Sequence, residues 1–240
     1  MSDGASPARL VPNRFPRPMP LAAAPRREIR LRPATASDTI RCTTLSTTYT
    51  TSHVWQLDTR QEGDEIRVSF RQVRLPRELT LATEHHPPSA PPDARRQGRL
   101  WLVAEEVDVA PTAIAPAAIA IRGRPAADEA PLRDRLSPIV GYVAVAYRDG
   151  DAYAYLQSLT VDSVYRRRGI AGRLLTEGCR WAADQGAGRM MADVAARNYP
   201  ALRLLMKAGF TFCGYNDRSS RDNEVAVFFS VGLRSLTAMR

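Results

Sequence analysis

The chain has 240 residues, 44% of them hydrophobic, and a formal net charge of +9, which suits one domain with appendages and favours anionic partners. Its three cysteines stand far apart without a CxxC pair, and its three histidines all lie early in the chain, so neither a metal site nor a disulfide framework is expected. No secretory signal and no apolar run long enough to cross a bilayer is apparent, so we expect a cytoplasmic protein without a membrane partner.

The beginning of the chain carries weak structural signals. Residues 1–27 are rich in proline, arginine and alanine without periodicity, which predicts a disordered basic arm. A tail that docks on an anionic partner is the alternative to a plain solvated leader. Apolar and charged residues alternate over 28–33 and predict a first strand, after which Thr35, Ser37 and Asp38 offer helix N-caps.

The following stretch mixes clear and ambiguous patterns. The threonine-rich residues 40–55 favour no single assignment, whereas 65–74 alternates apolar with charged residues and predicts a half-buried strand. A proline-rich loop precedes a predicted strand at 100–107, and an Ala/Pro-rich insertion near 108–138 follows it. We therefore treat 28–138 as the N-terminal part of one domain.

From residue 139 onward the pattern becomes regular. Apolar runs and alternation predict strands at 139–147, 152–161, 190–195, 211–215 and 224–231. Amphipathic helices lie between them, one over 169–185 and one capped by Asn198 and ending at Gly209. This order predicts an α/β (α+β) fold with a mixed sheet flanked by helices, in which 139–232 is the core and 233–240 a C-terminal tail.

The strand at 152–161 changes the phase of its aliphatic positions. In a regular strand Leu156 would lie on one face, whereas Leu159 and Val161 would lie on the other. Such a one-residue slip predicts a β-bulge within the strand. Burial of Tyr153 and Tyr155 would also account for the pattern.

The turn after this strand predicts a phosphate-binding loop. Three consecutive arginines lead into the small residues Gly169, Ala171 and Gly172, which open the helix. The first turn of a helix has backbone N–H groups without intrahelical partners, and its dipole favours an anion. Small residues let a phosphate approach the backbone, and arginines add charge there. The segment therefore has the features of a pyrophosphate cradle.

Two blocks in this order resemble the acetyl-CoA-binding core of the GCN5-related N-acetyltransferase (GNAT) superfamily. The run from Arg166 to Ala171 fits that family's pattern of Arg or Gln, two residues, Gly, one residue, then Gly or Ala. Downstream, Asn198 and the Gly209-Phe210 pair fit the family's second motif. The resemblance covers roughly 139–231. It implies the GNAT fold, a mostly antiparallel sheet of about seven strands that splays between the fourth and fifth.

The resemblance also implies roles for individual residues. Backbone N–H groups of the loop would hold the pyrophosphate of acetyl-CoA, while the strand before it and Asn198 would contact the pantetheine arm. A bulge N–H would polarise the thioester carbonyl. The cofactor-binding residues implied in this way are Leu159, Val161, Arg166, Arg167, Arg168, Gly169, Ile170, Ala171, Gly172, Arg173, Asn198 and Ala201.

The chain departs from the family where catalysis is concerned. Many members have a tyrosine general acid seven residues after the motif asparagine, and this chain has Leu205 there. Some members carry an acid on the fourth strand before the bulge, where this chain has Gln157-Ser158. Three carboxylates on or near later strands are candidate replacements for the general base, each of them alternatively a solvated or capping group: Asp193, Asp217 and Glu224.

The leading hypothesis is an acetyl-CoA-dependent N-acetyltransferase that acts on a primary amine by direct attack in a ternary complex. The acceptor would be a small antibiotic-like amine, a polyamine, or a protein N-terminus or lysine. A non-catalytic acyl-CoA-binding module is the alternative. A nucleic-acid-binding protein is disfavoured because no aromatic residues alternate with the arginines and no DNA- or RNA-binding motif is present. A homodimer is expected only by analogy with the family.

Overall fold

The computed structural model describes residues 26–83, 98–109, 137–147, 150, 153–217 and 224–233. Several predicted features lie wholly or mostly outside these residues: the basic arm, the proline-rich loop at 85–96, the Ala/Pro-rich insertion and all but the first residue of the tail. That first residue, Leu233, is fully buried and belongs to the core. The first strand begins at Arg26, so it includes two residues that were assigned to the arm.

Nine strands and three helices occur in the described residues. The strands are β1 (Arg26–Pro33), β2 (Thr48–Glu62), β3 (Glu65–Ala82), β4 (Arg99–Val109), β5 (Ile139–Ala146), β6 (Tyr153–Val161), β7 (Arg189–Ala195), β8 (Thr211–Asn216) and β9 (Ala226–Gly232). The helices are α1 (Asp38–Thr43), α2 (Ile170–Asp184) and α3 (Tyr199–Lys207). All strands predicted within the described residues are therefore confirmed, and β2 is added to them.

Seven strands form one mixed sheet in the order β1-β4-β5-β6-β7-β9-β8. Every neighbouring pair is antiparallel except β6 and β7, which are joined by the crossover helix α2. These two strands pair only from Tyr153 to Tyr155 of β6 and from Arg189 to Met191 of β7. The rest of β6 has no partner on β7, so the predicted splay between the fourth and fifth strands of the sheet is confirmed.

The predicted bulge lies in β6. Val143 of β5 faces Leu159, but Val145 faces Leu156, so β6 has one residue more than β5 in this interval, and Gln157 is left without a partner. Val143 and Val145 lie on the same face of β5, and the bulge therefore brings Leu156 and Leu159 to one face as well. Both leucines then pack on the side that α2 covers.

Helices α2 and α3 begin at the residues that the sequence indicates, whereas the Ser37 side chain makes no capping hydrogen bond at the start of α1. Gly169 precedes α2 with a φ of 79°, which glycine adopts without strain. The Asn198 side chain accepts a hydrogen bond of 3.2 Å from the Ala201 N–H at the start of α3. The buried residues of α3 are Leu202 and Leu205.

Strands β2 and β3 form a separate two-stranded hairpin. The strand predicted at 65–74 is confirmed, but its burial is not, because Ile66 and Val68 are 65% and 39% exposed. On β3, the ring of Phe70 contacts other aromatic rings, with centroids 6.1 Å from Trp55 of β2 and 5.5 Å from Phe212 and Tyr215 of β8. The hairpin therefore contacts the main sheet through its base, and the apolar residues near its turn face solvent.

A buried ion pair fixes α1 to the sheet. Asp38 is 1% exposed and accepts hydrogen bonds from the Arg32 guanidinium at 2.6 and 3.0 Å. It also accepts from the backbone N–H and the hydroxyl of Thr35, each at 2.8 Å. Burial raises the pKa of Asp38, but the hydrogen bonds from Arg32 and Thr35 outweigh it and lower the pKa to about 2.

We expect Asp38→Ala to lower the free energy of unfolding by about 3 kcal/mol, because Arg32 would keep Glu105 but lose its more buried carboxylate partner, and the N–H and hydroxyl of Thr35 would lose their acceptor. A carboxyl whose pKa falls from 3.8 to about 2 on folding stabilises the protein above pH 4, and that contribution disappears as the pH falls toward 2. Urea unfolding at pH 6 and pH 3 measures both effects. Asp58→Ala, which removes an exposed pair with Arg60, is the control and should cost less than about 0.5 kcal/mol. An equal cost for the two variants would contradict this account.

Candidate functional site

The loop between β6 and α2 presents a row of unpaired backbone N–H groups. Within the described residues, those from Arg167 to Gly172 donate to no protein acceptor, whereas Arg173 N–H makes the first helical bond, 3.1 Å to Gly169 O. Arg167 and Gly169 both have positive φ, 64° and 79°, which turns successive N–H groups toward one side. A Cβ added at Gly169 or Gly172 would meet nothing within 4 Å. This cradle suits a phosphate group.

The three arginines of the loop have different surroundings. The Arg166 guanidinium donates to three backbone carbonyls, at 2.9 Å to Val161 and Ser46 and also to Thr48. Burial lowers its pKa. Arg168 stacks on Tyr165 with its guanidinium carbon 5.0 Å from the ring centroid. The side chain of Arg167 makes no ion pair in the described part of the chain, so it is free to meet an anion.

The edge of β6 beyond the splay has main-chain groups directed into the opening. Asp162 N–H bonds to Val140 O on β5, so by the alternation of an antiparallel ladder Leu159 and Val161 direct their N–H and C=O groups away from β5. On the β7 side, no strand in the described residues forms hydrogen bonds with these main-chain groups. Arg166 uses the carbonyl of Val161, while the groups of Leu159 remain available to an extended ligand.

The second block lies across the opening from this edge. The Asn198 carboxamide oxygen caps α3 through Ala201 N–H, so the main-chain donor of Ala201 is used within the protein. The amide nitrogen of Asn198 has no partner among the described residues and could donate to a ligand. Leu205 is 2% exposed in the core, and α3 therefore provides no hydroxyl at the position where family members have tyrosine.

Strand β2 bridges the ends of the two strands that diverge. At its beginning, Ser46 O and Thr48 O accept from Arg166, which follows β6. Further along, Trp55 N–H donates to Ala196 O, which follows β7, at 2.8 Å. No single assignment was predicted for residues 40–55, which include the beginning of this strand. Its first residues alternate in burial, as a strand does: Tyr49 and Thr51 are buried, whereas Thr48 and Thr50 are exposed.

The candidate carboxylates lie in three different environments. The hydroxyl of Tyr155 donates to Asp193 Oδ1, across the point where β6 and β7 separate. Glu224 forms a bidentate pair with Arg197, in which Nη2 lies 2.9 Å from Oε2. Asp217 is exposed at the end of β8 and makes no hydrogen bond or ion pair within the described residues. Only Asp193 therefore stands at the splay.

Tyr49 is buried and Tyr155 is half-buried, and neither was predicted from the sequence to be a site residue. Burial and the charge of Glu224 raise the pKa of Tyr49 to about 12. Burial, followed by the bond to Asp193, raises the pKa of Tyr155 well above its ordinary value. Both groups therefore stay protonated at neutral pH and can act as hydrogen-bond donors.

A cavity of about 910 Å³ adjoins the loop on the side of β1. The loop and α2 contribute Gly169, Gly172, Arg173, Thr176 and Glu177 to its wall, and β1 contributes most of the rest. The residues at the splay do not line it. The cavity therefore offers space beside the phosphate-binding loop and is separate from the position of Asp193.

No group of metal-ligating side chains and no helix long and apolar enough to cross a membrane occurs in the described residues. Cys42 and Cys179 are buried, and burial raises the pKa of their thiols to about 12 and about 11. Such thiols stay protonated at neutral pH and are poor nucleophiles. Neither of these two buried thiols is therefore suited to act as a catalytic nucleophile.

Comparisons with known proteins agree with this geometry. Residues 120–210 match the family described as the acetyltransferase (GNAT) family. A streptothricin acetyltransferase from Streptomyces lavendulae is 26% identical over 97 residues, which are 39% of this chain and 51% of that protein. The chain thus spans about half the length of the curated relative that it matches.

Two solved structures share the fold over most of the chain. A nourseothricin acetyltransferase is 20% identical with a TM-score of 0.63, covering 85% of this chain and 98% of that one. A protein described as a putative streptothricin acetyltransferase from Bacillus anthracis str. Ames, in complex with acetyl coenzyme A, is 15% identical with a TM-score of 0.61 and the same two coverages. The predicted GNAT fold is therefore confirmed.

Proposed function

We propose that the chain is an acetyltransferase of the GNAT family, whose model matches residues 120–210, and that it transfers an acetyl group from acetyl-CoA to a primary amine. The observation that carries this proposal is the row of N–H groups from Arg167 to Gly172, which have no acceptor among the described residues and lie at the end of a splayed strand. A pyrophosphate provides the negative charge and the acceptor oxygens that these donors lack in that part of the chain. The cytoplasm, where acetyl-CoA is made and used, is the compartment we propose for it.

We assign the individual contacts from the donors that remain available. The N–H groups from Arg167 to Gly172 bind the pyrophosphate, with the side chains of Arg167 and Arg173 nearby. The main chain of Leu159 and the N–H of Val161 pair with the pantetheine arm, and the amide of Asn198 contacts the same arm. The Arg166 side chain and Ala201 N–H act through their bonds inside the protein.

The reaction follows from the bulge and the splay. An N–H at the Gln157 bulge polarises the thioester carbonyl, and the deprotonated amine attacks its carbon in a ternary complex. The C–S bond then breaks, and coenzyme A leaves as a thiolate. Since Leu205 provides no acid, the thiolate leaves directly or takes a proton from water. A carboxylate must stand near the amine to receive its proton, and Asp193 is placed best for this role.

The names of the relatives direct the choice of acceptor. Two of the proteins described above are called streptothricin acetyltransferases and one nourseothricin acetyltransferase. We therefore propose a small antibiotic-like amine of the streptothricin class as the first acceptor to test, with polyamines and protein amines as the comparison set.

Titration calorimetry with acetyl-CoA, followed by mass spectrometry of an amine panel incubated with labelled acetyl-CoA, tests the proposal. We expect saturable binding of acetyl-CoA and a labelled acetyl group on at least one amine. The absence of saturable binding would overturn both acetyl transfer and the alternative of an acyl-CoA-binding module. Binding without transfer to any amine would favour that alternative, which the missing tyrosine and strand acid support.

A further inference from the structure

The splay contains a hydrogen bond between two strands that the pairing of the sheet does not require. Tyr155 is the last residue of β6 that pairs with β7, and its partner there is Met191. Asp193 lies two residues beyond Met191 on β7. The Tyr155 hydroxyl donates to Asp193 Oδ1, so the two side chains join the strands where their main chains separate. Asp193 Oδ2 has no partner among the described residues.

These groups lie on the sheet face opposite α2. The helix covers the face of Val145, whose Cγ2 lies 3.1 Å from the position of a Cβ at Gly178. Tyr155 pairs with Ala146 and therefore points to the other face. Tyr155 pairs with Met191 in a parallel ladder, so these two side chains lie on the same face. Asp193 is two residues after Met191 and therefore lies on that face too.

A second polar group lies on this face. Ser158 pairs with Ala144, two residues from Ala146, so it shares the face of Tyr155. Ser158 is 5% exposed, and its hydroxyl lies beside the buried Tyr142, whose pKa is raised by burial and lowered in part by this hydroxyl, but makes no hydrogen bond of ordinary geometry in the described part of the chain. The face thus carries an open carboxylate oxygen and a buried hydroxyl on either side of the bulge.

We propose, on the basis of the acetyl-transfer function above, that this face binds the acceptor as a cationic primary amine, with Asp193 as its carboxylate and Tyr155 as the positioning residue. Tyr155 occupies Oδ1, which leaves Oδ2 directed to the amine. The carboxylate thus comes from β7 and is held against β6 by a tyrosine, while Ser158 is a neutral polar group on β6 at the other side of the bulge.

The proton and electron pairs balance in this arrangement. Asp193 Oδ2 takes one proton from the ammonium group, directly or through a water molecule. The freed amine lone pair forms the bond to the thioester carbon, the nitrogen then loses its second proton to solvent, and the C–S bond breaks with its electron pair on sulfur. The coenzyme A thiolate takes a proton from solvent, and Asp193 returns its own proton to solvent.

The test is a double-mutant cycle on the full chain with an acceptor found in the amine panel. We expect Asp193→Asn to lower kcat/KM for the cationic amine about 100-fold and Tyr155→Phe about 10-fold, because general-base catalysis contributes about this much. In the Asp193→Asn background, Tyr155→Phe should have no further effect, since it acts only through that carboxylate. Asp193→Glu should restore part of the activity.

Three readouts separate positioning from a structural role. The dissociation constant of acetyl-CoA should be the same for all variants. The activity of Asp193→Asn should fall less with hydroxylamine as the acceptor, which is uncharged at neutral pH, than with the cationic amine. Tyr153→Phe is the matched control, since it lies on the same strand and face, is 42% exposed and makes no hydrogen bond in the described residues. It should retain wild-type kinetics.

The failure of this inference differs from the failure of the proposed function. Additive effects of the two substitutions, or equal losses with hydroxylamine and the cationic amine, would overturn the roles of Tyr155 and Asp193 while acetyl transfer stands. A wild-type protein that neither binds acetyl-CoA nor acetylates any amine would overturn the function, and this inference with it.

Discussion

Gly169→Glu is expected to raise the dissociation constant of acetyl-CoA at least about 100-fold while the protein stays folded, because a carboxylate would stand among the N–H groups that we propose bind the pyrophosphate. The φ of 79° also makes any side chain strained at this position, by about 1–2 kcal/mol. A Cβ at this position meets nothing within 4 Å, so the substitution starts from open space and not from the core. Titration calorimetry gives the affinity, and thermal unfolding reports the strain.

Gly63→Glu separates the two causes. Gly63 lies in the turn between β2 and β3, has a φ of 60° and likewise has open space around it. The substitution introduces the same charge and similar backbone strain away from the loop, so it should lower stability to a similar extent and leave acetyl-CoA affinity unchanged. Gly169→Ala, with strain but no charge, should fall between wild type and Gly169→Glu. Unchanged affinity in Gly169→Glu would show that the loop does not bind the pyrophosphate.

The core of the fold could be predicted from the sequence because its signals are local. Gly169 and Asn198 mark helix starts by their own backbone and side-chain preferences, and the phase change after Leu156 marks the bulge. Strand β2 was not predicted, because its threonines suit several conformations and its place is fixed by bonds to Arg166 and Ala196 far along the chain. Periodicity within a strand cannot show such contacts.

The candidate site was predictable to a similar degree. The cradle follows from consecutive residues, whereas the bond from Tyr155 to Asp193 depends on how many residues β6 and β7 pair before they separate. The sequence named Asp193, Asp217 and Glu224 as equivalent candidates. The structure distinguishes them, since Arg197 neutralises Glu224 and Asp217 is solvated at a strand end.

Arg166 shows why a motif residue need not act on the ligand itself. All three guanidinium nitrogens donate to backbone carbonyls of the protein. These are Val161 O at the end of β6, Ser46 O before β2 and Thr48 O at the start of β2. These bonds connect the phosphate-binding loop with the strand that bridges the splay. A change in the loop that moves the Arg166 side chain is therefore expected to move the beginning of β2 as well.

Arg166→Gln is expected to lower the free energy of unfolding by about 2–4 kcal/mol, because charge-assisted bonds to half-buried carbonyls are lost. Hydrogen exchange should rise in peptides covering 46–55, and the dissociation constant of acetyl-CoA should rise about 10-fold as the loop loosens. Arg168→Gln is the matched control, because it removes the same charge two residues away. Among the described residues, the Arg168 side chain contacts Val164 O and the Tyr165 ring and makes no bond to β2. If Arg168→Gln weakens acetyl-CoA binding more than Arg166→Gln does, and hydrogen exchange over 46–55 is unchanged in both, the arginines affect acetyl-CoA affinity through their charge alone. The proposed role of Arg166 in holding β2 would then be wrong. The expected order, a large effect at 166 and a small one at 168, would instead show that the first arginine of the motif acts by holding β2.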